Sequence, residues 1–450
     1  MDSSNNFILI NVNLLSHYEV DQIQINQDQL DLGAIHVMGG LIEKIYRGDE
    51  YKSLIDNGYI GGVDVIDGDG KLILPGLTDP QVHLREPGFE YKEDIESGLM
   101  SALKGGYTDV VCMPNTKPVI DNEKTIKHIY QRSSDLGLAN VYPTASVTIG
   151  QEGVETVDFK NLFDKGAIAF TDDGLGIQKD EVIDRAFKEL SALQVPLLDH
   201  AQCEELSAGG VIHPHKFDDE ERNPFYDPRS EEKHVIRGCE LSLKYKTPYH
   251  VLHISTIGSL NAIKEFKQKG APVTCEVTPH HLLLNVDDIF SVPKSMRPNF
   301  KMNPPLRGRG DMFACQEALI DGTIDMISTD HAPHSKKEKL NGFTEAPFGI
   351  IGLETALPLM VTYFVKPGKI TYGRLIELMK YKPNQLFKLP IHTIIEGNLA
   401  TFLLVDHLNS RKYEKSEILS KSKNSPFLNR ELTGFVSKTF VKGGIKYADK

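Results

Sequence analysis

The 450-residue sequence predicts an α/β fold, a (β/α)8 TIM-like barrel carrying a small β-domain formed by both termini. Three observations predict it. Apolar stretches that end in polar residues recur eight times, helical periodicity fills the gaps between them, and short strand-like runs with turn signals occupy the two ends.

Residues 1–70 form the first part of the small β-domain, because runs such as FILINVNLL and the turn signals MGG and DGDG lie close together. The barrel is expected over 71–390. Its strands are predicted at 72–83, 107–116, 140–148, 167–173, 194–202, 247–255, 272–283 and 323–334. Ile95, Leu99 and Leu103 repeat at i, i+4, i+8 and close on Gly105-Gly106, a helix with its stop signal. Ile183, Ala186, Phe187 and Leu190 mark one face of another. Residues 391–450 return to strand-like runs, GNLATFLLVD and TGFVSKTFVKGG, and complete the β-domain. A doubly wound open sheet is the alternative, but no GxGxxG follows the first strand.

Composition narrows the function classes. Fifty basic against 62 acidic residues give a net charge of −12, which argues against a general nucleic-acid binder. No 18-residue apolar run exists to cross a membrane, and the N-terminus lacks the basic and apolar regions of a signal peptide. The five cysteines are odd in number, widely spaced and never CxxC, so they read as small buried hydrophobes in a reduced, cytoplasmic chain.

Barrels of this kind place chemistry at the C-terminal ends of their strands. There the sequence puts His83, Asn115, Asp173, His200, His253, Asp330 and His334. A single strand-end histidine is more often a hydrogen-bonded structural residue than a ligand. Five imidazoles and carboxylates on five strand ends are a ligand set suited to zinc or a similar divalent ion. Such ions lower the pKa of a bound water towards neutrality. Asp330, in STDHAPH, is placed to serve as the base, and Arg85 with Asn115 offers donors to an anionic, amide-bearing substrate. His250, three residues before His253, is read as facing away from the site. His213 and His215 are read as a solvated loop, and Asp172 is the competitor to Asp173.

The stretch DPQVHLREPGFEYKEDIESGLMSALKGGYTDVVCMPNTKPVID resembles the dihydroorotases of the amidohydrolase superfamily, and MNPPLR, STDHAPH, APFGIIGLET and SPFLNRELTG continue the match. The resemblance implies an aspartate-bridged, two-zinc enzyme that reversibly cyclises N-carbamoyl-L-aspartate to dihydroorotate in pyrimidine synthesis. It implies that His83 and Asp330 hold the first metal, that Asp173 bridges, and that His200 and His253 hold the second. Arg85, Asn115, Asn303 and His334 would grip the substrate, beside His83 and the backbone at Phe348-Gly349. It also implies a homo-oligomer, with aspartate transcarbamoylase as a candidate partner. The fourth strand ends in TDD without a lysine, unlike the dihydropyrimidinases and hydantoinases, which bridge with a carboxylated lysine.

One position departs. Where the family has His-x-His this chain has Gln81-Val82-His83, and a neutral amide is a poorer zinc ligand than imidazole. That leaves a catalytically silent scaffold for aspartate transcarbamoylase as a second reading. Another cyclic-amide hydrolase, such as an allantoinase, is the third.

Overall fold

A computed structural model describes residues 5–18, 28–58, 63–215 and 222–449. Its strands are β1 (Phe7–Leu15), β2 (Leu30–Met38), β3 (Leu41–Arg47), β4 (Asp64–Asp67), β5 (Leu72–Pro75), β6 (Leu77–Val82), β7 (Tyr107–Cys112) and β8 (Asn140–Pro143). There follow β9 (Leu197–Asp199), β10 (Tyr249–Val251), β11 (Val273–Val277), β12 (Met326–Ile327), β13 (Phe402–Lys412), β14 (Glu431–Val441) and β15 (Gly444–Ala448).

Parallel pairing runs through β6, β7 and β8 and through β9, β10, β11 and β12. Single bridges complete the ring. Phe170 joins Ala145 on one side and Leu197 on the other, and Val82 meets His331. The fourth strand is shorter than the expected 167–173 but bonds both neighbours: Ile168 N–H donates to the Pro143 carbonyl, Thr171 N–H to Ala145 and Phe170 N–H to Pro196. The barrel strands β6, β7, β9 and β10 are buried at every residue, as strands covered on both faces must be.

The expected strand 72–83 is two strands in different sheets. β5 pairs with β13 and β1, whereas β6 begins the barrel, and Gly76 lies between them. A Cβ at Gly76 would sit 2.4 Å from Thr108 Oγ1, so only glycine lets the chain pass so close to β7. The second sheet runs β15-β14-β13-β5-β1-β2-β3, with β4 on β1, and so draws on both ends of the chain.

Both predicted helices form. Ile95–Gly105 starts on Asp94, whose carboxylate accepts from Ser97 N–H, and ends on Gly106 at φ 89°. Asp180–Leu193 buries Ile183, Ala186, Phe187 and Leu190. All five cysteines are buried.

Candidate metal centre and active site

The C-terminal ends of the barrel strands bring together every histidine and carboxylate named as a metal ligand. Asp173 lies at the centre and is 2% exposed. Its Oδ1 is 3.5 Å from His200 Nδ1 and 3.8 Å from His253 Nε2, and its Oδ2 is 3.2 Å from His83 Nε2. His83 Nε2 is in turn 3.1 Å from Asp330 Oδ1. One ligand atom each from Asp173, His200 and His253 fall within 4.8 Å of one another.

These groups fit a cation better than they fit one another. His200 Nδ1 and His253 Nε2 face each other at 2.9 Å beside a carboxylate oxygen, and such a pair can share only one proton. Asp173 Oδ2 and Gln81 Oε1 are buried without a hydrogen bond among the described residues. Buried polar atoms of this kind call for a partner. Burial would raise the Asp173 carboxyl, but the His200 and His253 hydrogen bonds and the His83 charge outweigh it and hold it well below the ordinary carboxylate range.

Gln81 and Asp79 share the barrel interior with His83. The Gln81 amide donates to Asp173 Oδ1 at 3.3 Å. Asp79 is used deeper down, accepting from Thr329 N–H, Thr329 Oγ1 and Gln81 N–H. Asp172 points away from Asp173 and accepts the backbone N–H groups of Val147 and Thr148, pinning the segment that follows β8. His250 is fully buried against Thr274 and Glu276 on β11 and is a hydrogen-bonded core residue. His213 and His215 are half-buried, and His215 packs against Phe225 and Phe290 rather than standing in solvent.

Amide oxygens set which ring nitrogen faces the centre. Asn115 Oδ1 is 2.9 Å from His83 Nδ1, so the ring can donate there and leave Nε2 bare towards Asp173 and Asp330. Gln202 Oε1 is 3.0 Å from His200 Nε2 and also accepts from Asn303 Nδ2 at 2.8 Å.

The cationic side of the mouth is built by Arg85 and Lys92, with the neutral ring of His334 between them. Among the described residues, Arg85 donates to one oxygen, the Pro333 carbonyl at 3.2 Å. Burial brings its guanidinium down to about 10, against the pull of Asp330 and Asp173. His334 Nε2 donates to the Phe348 carbonyl at 2.7 Å, which leaves Nδ1 to accept from Lys92 Nζ at 3.3 Å. Lys92 also pairs with Glu338 at 3.0 Å. Gly349 has φ 125°, and a Cβ there would meet Ala332 at 2.7 Å, so this wall of the mouth is backbone by necessity.

Glu93 buttresses the strand end that bears Asp330. Its carboxylate accepts from Ser97, Ser420, Lys421 N–H and, at 3.4 Å, His331 Nε2, while His331 Nδ1 accepts from Gly352 N–H. Sequence reasoning missed Lys92, Glu93 and Gln202. The first two lie within the matched EYKED run and the third two residues beyond His200, so nearness to a motif was the available signal.

Comparison with known proteins gives one consistent result. A family profile described as Dihydro-orotase-like matches residues 70–259. A dihydroorotase of Bacillus cytotoxicus is 44% identical over 382 residues, 85% of this chain and 88% of that one. A dihydroorotase of Brevibacillus brevis is 42% identical over 387 residues, 86% of this chain and 90% of its own. Among solved structures, an L-hydantoinase (dihydropyrimidinase) of Arthrobacter aurescens superposes with a TM-score of 0.80 at 24% identity, over 99% of this chain and 96% of that one. A dihydropyrimidinase of Brevibacillus agri gives 0.79 at 19%, over 98% and 94%. At these identities the structures speak for the fold alone.

Proposed function

Since the chain belongs to the dihydroorotase family, we propose that its barrel mouth interconverts N-carbamoyl-L-aspartate and L-dihydroorotate, the ring-closing step of pyrimidine synthesis. The observation that carries this reading is the Asp173 carboxylate, with imidazoles at both oxygens and Asp330 beyond one of them.

The donor set is nitrogen and oxygen throughout, which suits zinc. His200 and His253 with Asp173 Oδ1 would hold one ion, and His83 and Asp330 with Asp173 Oδ2 the other. Bound there, divalent ions supply a polarised carbonyl and a water acidic enough to attack near neutral pH. In ring opening the amide C–N bond breaks as the new C–O bond forms. Asp330 takes the attacking water's proton and passes it to the departing nitrogen. Ring closure runs the same transfers backwards. Arg85 offers a planar fork to the substrate carboxylate, and Asn115, its oxygen taken up by His83, has its NH2 left to donate.

Gln81 is the one observation that favours a silent scaffold for aspartate transcarbamoylase. The proposed ligands His83, Asp173, His200, His253 and Asp330 lie within reach of one another, which supports an active enzyme. Arg85 also supports a carboxylate-bearing substrate over uncharged allantoin. Five buried, unpaired cysteines suit a reducing cytoplasm. Among the described residues no helix is long and apolar enough to cross a membrane.

Assaying the zinc-loaded protein on carbamoyl-aspartate, dihydroorotate and allantoin side by side is the test. Turnover of the first two alone is expected. Activity on allantoin alone, or on none of the three, would refute the proposal.

A further inference from the structure

We propose that Gln202 is a positioning residue whose single side-chain oxygen governs both a metal-ligating imidazole and the substrate-facing amide of Asn303. The inference rests on the dihydroorotase reading and deepens it.

The Gln202 amide is held at both of its atoms. Its NH2 donates to Ser207 Oγ at 3.1 Å, and its Oε1 meets two nitrogens, Asn303 Nδ2 at 2.8 Å and His200 Nε2 at 3.0 Å. With Asn303 as it stands, rotating the Gln202 amide by half a turn would set its own N–H groups against the Asn303 donor. The backbone is fixed as well, because Gln178 Nε2 donates to the Gln202 carbonyl at 2.8 Å.

His200 feels the first consequence. Its Nδ1 faces Asp173 and His253, so it can ligate only if the ring proton sits on Nε2. Gln202 Oε1 accepts that proton. The competing arrangement is also close at hand. Asn303 Nδ2 lies 3.0 Å from His200 Nε2 and could donate to a bare nitrogen, leaving the proton on Nδ1 and the ring unable to bind metal. By accepting from both nitrogens, Gln202 makes the ligating tautomer the cheaper one.

Asn303 feels the second. One Nδ2 hydrogen goes to Gln202 and the other side of that nitrogen faces His200, while Oδ1 is buried without a hydrogen-bond partner among the described residues. Asn303 therefore offers the substrate an acceptor. Carboxylates are acceptors only, whereas both carbamoyl-aspartate and dihydroorotate carry N–H groups. Asn303 reads the ureido or ring N–H, and the carboxylate is left to Arg85. His83 is arranged differently, since Asn115 Oδ1 serves that ring alone among the described residues.

The test compares wild type, Gln202→Leu, Gln202→Glu and Asn303→Ala on the full chain. Zinc affinity is read by competition with a chromogenic chelator, the His200 tautomer by ¹⁵N NMR of metal-free protein, and KM and kcat with carbamoyl-aspartate. Gln202→Leu should weaken zinc binding by roughly 10–100-fold, the usual effect of removing a ligand's outer partner. It should also shift the His200 proton towards Nδ1 and raise KM. Gln202→Glu keeps the acceptor and should restore all three, and Asn303→Ala should raise KM with zinc affinity unchanged. Unchanged zinc affinity in Gln202→Leu, or a loss there that leaves KM untouched, overturns the shared-acceptor role. So does Gln202→Glu behaving like Gln202→Leu. A wild type that binds zinc yet turns over neither carbamoyl-aspartate nor dihydroorotate refutes the functional reading instead, while the zinc and NMR arms still judge Gln202.

Discussion

Three residues at the mouth hold backbone conformations that side-chain alternation cannot foresee. Arg85, His253 and Asp330 have φ of 64°, 32° and 46°, in the left-handed region that non-glycine residues rarely enter. Their residue types were legible, because polar groups at strand ends are visible in any sequence; their direction was not, because period-two logic stops where the strand stops. Replacing Asp330 by Asn should lower kcat by ~10²–10⁴-fold with the fold intact, checked by steady-state kinetics and circular dichroism. Arg85→Lys should act chiefly on KM, because lysine keeps the charge and loses the fork; unchanged kinetics would remove Arg85 from the substrate site. Gln81→His should make zinc harder to strip by chelator, since an imidazole would replace an amide that now donates to Asp173. Metal analysis during graded chelation measures it, and identical stripping of wild type and variant would sink the idea.

At the scale of elements, periodicity identified helices and strands well and sheet membership poorly. Nothing in LILPGLTDPQV announces that its two halves join different sheets; the division depends on how near Gly76 comes to Thr108, a tertiary fact. The fourth strand bonds its neighbours from Ile168 to Thr171, and just beyond it the Asp172 carboxylate takes the Val147 and Thr148 N–H groups. A buried ion pair joins β7 to the last helical stretch of the barrel: Lys380 Nζ lies 2.9 Å from Asp109 Oδ2 and also bonds Thr78 on β6. Burial would raise Asp109, but the Lys380 charge and hydrogen bond hold it below its ordinary value. A carboxyl depressed in the folded state stabilises above its unfolded pKa and loses that contribution as pH falls through the folded one. The pair should therefore help at neutral pH and fail in acid, below roughly pH 4. Lys380→Met, which strands the carboxylate, should cost about 3–5 kcal/mol in urea unfolding at pH 7, and less as the pH is lowered.

Across the whole molecule, the sheet built from the two ends reaches the mouth through the segment between β13 and β14. Ser420 and Lys421 bind Glu93, Ser422 Oγ donates to the Lys92 carbonyl, and Asn424 Nδ2 donates to the Gly349 carbonyl at 3.0 Å. Asn424→Ala should lower stability by about 1–3 kcal/mol and raise KM, with zinc content unchanged, as kinetics beside metal analysis would show. This clasp was hidden from the sequence, where some 330 residues separate Glu93 from Ser420 although both belong to matched regions or their flanks.

The place of β5, flanked by β1 and β13, has a consequence for how the protein is made. On the ribosome one side of β5 finds β1 almost at once, while its other partner is still more than 300 codons away. At roughly 5–20 residues per second that edge stays bare for some tens of seconds, an open template for any other nascent chain. The barrel can close in that interval, but the clasp over its mouth cannot. Newly synthesised protein should therefore become competent for substrate only after its last strands emerge, and crowded expression or slow translation of the C-terminal codons should show first as aggregation.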